Sequence, residues 1–282
     1  MLKNVLRFSV FSASIAVCAL SHAQSSVPNI ADYLTMTMDV TGSMHAVRSA
    51  DGLSRCEFAK NLMKDDVERA MFQSKSVQII SFDTSTNNIT GGFVDTSNAF
   101  SKWFGDGEII YNNLIDQIDA ISCGNGGTAL ADSVCEVIDE LYEVNTGGLQ
   151  PVIALYTDGG ENSSNLNICG GSDYISKVED KMGEGSPIVH LNITYLEAPG
   201  NTGLSFSKSG DLIVESGVES LPSAPTAKNF STTNIEREGL RILSLMSGGN
   251  FHAVSDDDTC YSGCGALDPV VDDPWSGGGF GR

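Results

Sequence analysis

The chain has 282 residues, with 36 acidic and 16 basic side chains and a formal net charge of −20 at neutral pH. That excess of carboxylates excludes a nucleic-acid backbone as partner, because such binding needs Lys and Arg to displace counterions, and it opposes an anionic membrane surface. With 41% hydrophobic residues the chain can bury a sizeable core, in one domain or two.

Residues 1–23 read as a secretory signal peptide. Lys3 and Arg7 make a basic start, FSVFSASIAVCAL is a short apolar core, and Ser21 and Ala23 form a small-residue exit. The apolar run falls short of the ~20 residues that span a bilayer, and no later run reaches that length. Loss of Lys3 and Arg7 with this segment deepens the charge from −20 to −22. Residues 24–30 form a polar leader. The expected location is the periplasm or the extracellular space, with no membrane insertion.

From residue 31 the chain alternates strand and helix patterns. ADYLTMTMDV puts Leu34, Met36 and Met38 on one side of a strand. SRCEFAKNLMKDDVERAMF spaces Phe58, Leu62, Met63, Val67, Ala70 and Met71 as one helical face. VQIISF is a short apolar strand, and IIYNNLIDQIDAI returns to helical spacing through Ile110, Leu114, Ile118 and Ile121. LADSVCEVIDELY carries the clearest helical stripe, at Leu130, Val134, Val137, Ile138 and Leu141. PVIALYT has the continuous apolar character of a buried parallel strand.

A weaker helix, DYISKVEDKM, leads to the strand PIVHLNITYL. Residues 197–234, rich in Ser, Gly, Pro and Thr, break the rhythm as an insertion in which only SKSGDLIVES suggests a hairpin. EREGLRILSLM is a helix stopped at Gly248-Gly249, and NFHAV is a last strand. Residues 256–282 form an acidic, Cys- and Gly-containing tail, in which Asp256, Asp257 and Asp258 are expected to be solvated. This alternation predicts a Rossmann-like, doubly wound α/β fold: a mainly parallel central sheet with helices on both faces, over residues 31–255.

Beyond the signal segment six cysteines remain: Cys56, Cys123, Cys135, Cys169, Cys260 and Cys264. An even set in an exported chain predicts up to three disulfides among ~15 possible connectivities. The single C-x-x-x-C spacing is no zinc signature, and it allows a local Cys260–Cys264 bridge. Cys56, Cys123 and Cys169 flank the polar segments described next, so bridges there would clamp those loops.

In a doubly wound sheet ligands bind beyond the carboxyl ends of the strands. Three segments converge there: DVTGS after the first strand, GNGGTAL before the strong helix, and YTDGGENSS after the most apolar strand. Each alone is an ordinary turn or helix start, with Thr128 as a helix cap in the second. Together they bring Asp39, Thr41, Ser43, Thr128 and Asp158 to one edge. An extended loop places Asp39, Thr41 and Ser43 on one side. Their hydroxyl and carboxylate oxygens are hard donors suited to Mg²⁺, Ca²⁺ or Mn²⁺. His45 sits where it can line the rim, whereas His190 and His252 lie in strand patterns as packed groups.

These segments resemble the von Willebrand factor type A domain and its metal-ion-dependent adhesion site, whose D-x-S-x-S loop, later threonine and later aspartate fall on the five residues above. Thr41 replaces the commoner serine and keeps the hydroxyl. The resemblance implies that Thr41, Ser43 and Thr128 bind a divalent cation, Mg²⁺ first and Ca²⁺ or Mn²⁺ as alternatives. Asp39 and Asp158 then act largely through water and by orienting the hydroxyls. It further implies a non-catalytic binding or adhesion protein whose cation accepts an Asp or Glu of a protein ligand. The alternative is a periplasmic accessory or assembly subunit with a structural ion. A phosphatase of the haloacid-dehalogenase type would need a second carboxylate where Thr41 stands. No serine-hydrolase elbow or phosphate-binding loop is present.

Overall fold

The structure, a computed structural model, describes residues 31–99, 103–198, 205–206, 212–213 and 232–268, apart from 125, 145–147, 149, 160, 167, 261 and 262. The signal segment, the leader, most of the 197–234 insertion and the end of the tail lie outside the described residues.

Four segments form the central strands, buried on both faces: β1 (Ala31–Asp39), β2 (Ser74–Phe82), β5 (Gln150–Thr157) and β6 (His190–Glu197). Thr35, Thr37, Gln78 and Thr194 are buried among their apolar residues. They lie in the order β2-β1-β5-β6, and β9 (Phe251–Ser255) continues the sheet beyond β6. All of these neighbours pair in parallel. The far edge departs from the expected pattern. Two short strands, β3 (Thr86–Asn88) and β4 (Val94–Asp95), pair antiparallel with β2. In the insertion, β7 (Ser205–Phe206) and β8 (Leu212–Ile213) pair antiparallel; β8 falls within the segment expected to form a hairpin, 207–216, whereas β7 precedes it.

Side-chain alternation divides the core into two layers. Val152, Ala154 and Tyr156 of β5 join Leu34, Met36 and Met38 of β1 and the buried faces of α1 (Arg55–Gln73) and α2 (Asp106–Ala120). Ile153 and Leu155 point the other way, with α3 (Leu130–Val144), α4 (Tyr174–Met182) and Leu240 and Leu243 of α5 (Thr232–Met246). Each such buried Leu, Ile or Met stabilises the fold by roughly 1.5–3 kcal/mol relative to exposure. The doubly wound α/β class predicted from the alternation is therefore the one observed.

Local signals set the ends of the helices. Ser54 starts α1 with a reciprocal capping box: its hydroxyl accepts from Glu57 N at 3.1 Å, and Glu57 Oε2 accepts from Ser54 N at 3.0 Å. Gly248, with φ +79°, follows the end of α5, where left-handed backbone favours glycine.

The acidic run is not wholly solvated as expected. Asp256 is buried, because it answers the guanidinium of Arg55, which donates to it at 2.7–3.2 Å. The fully buried Arg48 lies 3.6 Å over the Phe58 ring and donates to the carbonyls of Ser255 and Asp258. Farther on, Ala266 and Leu267 are buried against the α1 layer, with Leu267 N donating to Asp66 at 3.2 Å.

Three disulfides are present: Cys56–Cys123, Cys135–Cys169 and Cys260–Cys264. The first ties α1 to the loop leading to Thr128. The second ties α3 to the loop after β5. No helix among the described residues is long and apolar enough to cross a membrane.

Candidate metal site

From β1 the chain crosses through α1 to β2 on one side, then returns to the opposite side of β1 with β5. The carboxyl ends of β1 and β5 thus flank a crevice at the point of reversal. Asp39 ends β1, and Asp158 follows β5 directly.

The expected extended loop after Asp39 is corrected. Thr41 precedes a short 3₁₀ turn, Gly42–His45, so Ser43 lies within that turn. The residues still converge, through hydrogen bonds rather than strand alternation. Thr41 N donates to Asp39 Oδ1 at 2.9 Å, and the hydroxyls of Thr41 and Ser43 share a hydrogen bond at 3.1 Å. Ser43 Oγ donates to Asp158 Oδ1 at 2.8 Å, joining the first loop to the third. His45 is exposed on the same turn, while His190 and His252 are partly buried.

Thr128 is buried and held through its backbone. Its N–H donates to Asn162 Oδ1 at 2.9 Å, and its carbonyl accepts from the N–H groups of Asn162 and Ser163. Gly42 N, donating to Gly126 O at 3.4 Å, links this loop to the first. Thr128 does not cap α3, since the helix begins at Leu130. Glu161 Oε2 and Ser164 Oγ accept from Ala131 N and Asp132 N instead. Gly127 allows the loops to touch: a Cβ there would lie 2.0 Å from Ser163 Oγ and 2.8 Å from Asn162 Oδ1.

Three participants had no sequence signal. Thr157 Oγ1 donates to Asp39 Oδ2 at 2.8 Å and accepts from Gly159 N. Arg55, at the first turn of α1, donates to Asp158 Oδ2 at 2.9 Å and bridges it to Asp256. Arg55 and Asp256 lie 201 residues apart, so local pattern could not pair them.

Burial raises the carboxyl of Asp39 to about 7, with the charge of Asp158 adding to it and bonds from Thr41 and Thr157 opposing it. Burial also raises that of Asp158, against the bonds from Ser43 and Arg55. Among the described residues no Lys or Arg pairs with Asp39, so this fully buried carboxylate lacks a counter-charge. Asp39, Asp158 and Asp256 against Arg55 leave two negative charges when all are ionised. The donor set and the charge fit one divalent cation.

No family model matches the chain, and no curated protein matches it. Solved structures similar to it include the conserved hypothetical protein BatB from Bacteroides thetaiotaomicron, at 18% identity and TM-score 0.46, covering 80% of this chain and 91% of that one. A von Willebrand factor type A protein from Catenulispora acidiphila is 10% identical at TM-score 0.46, over 79% of this chain and 38% of that one. The PilB minor pilin from Streptococcus sanguinis is 13% identical at TM-score 0.46, over 82% and 58%. Such distant likenesses carry no argument about function. On the chain's own geometry, its parallel strand order, two helical layers and three loops at one edge are those of a doubly wound α/β sheet.

Proposed function

We propose that this chain is an exported, non-catalytic binding protein that uses a divalent cation to hold an acidic group of a protein ligand. The reading is carried by one observation: the Asp39–Thr41–Ser43–Asp158 hydrogen-bond network, which unites hard oxygen donors from two loops at the sheet's reversal point. Thr41, Ser43 and Thr128 would hold the cation, Mg²⁺ before Ca²⁺ or Mn²⁺, with Asp39 and Asp158 orienting them. When bound, the cation supplies a local positive contact on a protein whose net charge of −20 otherwise repels acidic partners.

The test is an affinity pull-down from the source organism's envelope with Mg²⁺ and again with EDTA, using the wild type and the Asp39→Ala and Thr128→Ala variants. Partner bands lost in EDTA and in both variants support the reading. Bands that persist in all three refute it, and point to an accessory or assembly subunit whose ion is structural.

A further inference from the structure

Beside the metal loops, between the segment after β5 and α5, lies a cavity of about 590 Å³. It is lined by Glu161, Asn162, Ser164, Leu166, Tyr174 and Glu236, with Gly171 and Ser172 at its side. Its volume lies in the range of small-ligand sites, ~300–1,000 Å³. It shares a wall with the metal site, because Asn162 accepts the N–H of Thr128.

The lining has one chemical character. Its two charged residues are both carboxylates, and no basic side chain is among the described lining residues. Lys177 is close by, but its amine is turned to the carbonyls of Leu166 and Gly170. Glu161 accepts on both oxygens within the protein: from Ser163 N and Ser164 N on one, from Ala131 N and Ser164 Oγ on the other. It contributes charge to the cavity rather than an open acceptor.

Tyr174 supplies the independent observation. It is 8% exposed, and among the described residues nothing hydrogen-bonds its hydroxyl. Burial, then the charges of Glu236 and Glu161, hold that hydroxyl well above its usual range, so it stays neutral and keeps its lone pairs. A buried hydroxyl without a partner is destabilising, and the two acids that act on this one line the same cavity. Leu166, 71% exposed, and the Tyr174 ring give an apolar flank of the kind that an alkyl stem covers. An aromatic face also attracts a cation.

We propose that this cavity binds a guanidinium or alkylammonium group: the Arg or Lys side chain of the protein whose carboxylate reaches the metal site. The bearer rests on the metal-dependent reading above; the preference for a cation does not. The hydroxyl of Tyr174 accepts from the bound N–H, Glu236 and Glu161 neutralise its charge, and Leu166 packs on its stem. The ligand therefore carries an acidic and a basic residue close together.

The experiment titrates N-acetyl-arginine amide, and N-acetyl-norleucine amide as an uncharged control, into the mature full-length chain in EDTA, followed by amide chemical shifts. Saturable shifts at Leu166, Ser172 and Glu236 are expected for the arginine probe only. Glu236→Gln is expected to weaken binding of the arginine probe at least ~5-fold. Tyr174→Phe should weaken binding yet raise the melting temperature, since it removes an unpaired buried hydroxyl; a merely structural role would move only the second. Equal shifts with both probes, or unchanged affinity in Glu236→Gln, overturn the proposal. A short peptide with one Asp and one Arg separates the two readings. Mg²⁺-dependent peptide binding without arginine-probe binding sinks the cavity alone, and arginine-probe binding with no Mg²⁺ effect on the peptide sinks the metal alone.

Discussion

Replacing Arg55 with Met tests the electrostatic centre of the site. Its guanidinium side chain is 10% exposed, against 2% for Asp158 and 7% for Asp256, and it meets both at 2.9 and 2.7 Å. Removing one partner of a buried ion pair costs about 3–5 kcal/mol, because the remaining charge is left without compensation. Here two carboxylates are left. For a domain of this size each kcal/mol shifts the melting temperature by ~2–4 °C, so Arg55→Met should melt about 6–20 °C lower in EDTA. Arg55→Lys should fall between, since a point-charge ammonium cannot fork to both carboxylates. Mg²⁺ should then stabilise Arg55→Met more than wild type, by supplying the missing charge. Thermal and urea unfolding with and without Mg²⁺ measure both effects. A loss under ~1 kcal/mol in EDTA refutes the reading of the pair; the full loss without Mg²⁺ rescue refutes the ion and leaves the pair intact.

Three further outcomes are expected. Burial raises the Asp66 carboxyl to about 6, against opposing bonds from Tyr156 and Leu267. This group's stabilisation is therefore full below the unfolded carboxylate value of ~3.9 and lost as pH rises through 6, a swing of ~3 kcal/mol. Urea unfolding at pH 4, 5 and 7 should show that fall on top of the one due to Asp39, and Asp66→Asn should reduce the total by ~3 kcal/mol while the Asp39 part remains. The Cys56–Cys123 and Cys135–Cys169 bridges span 67 and 34 residues, for which loop-closure entropy gives about 4 kcal/mol each. A paired Cys→Ala variant of either should unfold at correspondingly lower urea, and unchanged midpoints would exclude the clamp. Gly127→Ala places a Cβ against Ser163 and Asn162 and so displaces Thr128. It should weaken Mn²⁺ binding, read by electron paramagnetic resonance, at least ~10-fold while leaving the fold intact.

What the sequence disclosed follows from where side chains carry the information. The continuous apolar run of β5 makes it legible, and α3 displays its face at helical spacing. The edge strands β3 and β4 pair antiparallel with β2, and Thr86-Asn87-Asn88 carries no pattern that announces this. Asp39, Thr41, Ser43, Thr128 and Asp158 could be singled out because each falls at an element's end. Arg55 stands in the first turn of α1 behind Ser54 with no local mark of its role, and Asp256 reads in the sequence as one of three solvated acids. Their meeting depends on the path of the chain after β9, which only the assembled sheet defines.

That meeting bears on how the five residues would divide their work. Asp39 Oδ1 and Oδ2 accept from Thr41 N and Thr157 Oγ1, and Asp158 Oδ1 and Oδ2 accept from Ser43 Oγ and Arg55. All four carboxylate oxygens are thus already engaged within the protein. A hydroxyl that gives its proton to a carboxylate becomes the more electron-rich, so Ser43, which accepts from Thr41 Oγ1 with one lone pair, is the better donor to a cation with the other for its bond to Asp158. Arg55 draws the other oxygen of Asp158 away and offsets part of its charge. A cation held this way would meet neutral hydroxyls first and carboxylates behind them, and its charge would stay poorly quenched and open to an acidic ligand. The Arg55–Asp256 pair extends the same logic to the end of the chain. Whatever shifts the segment after β9 changes how much of Asp158 remains for Ser43.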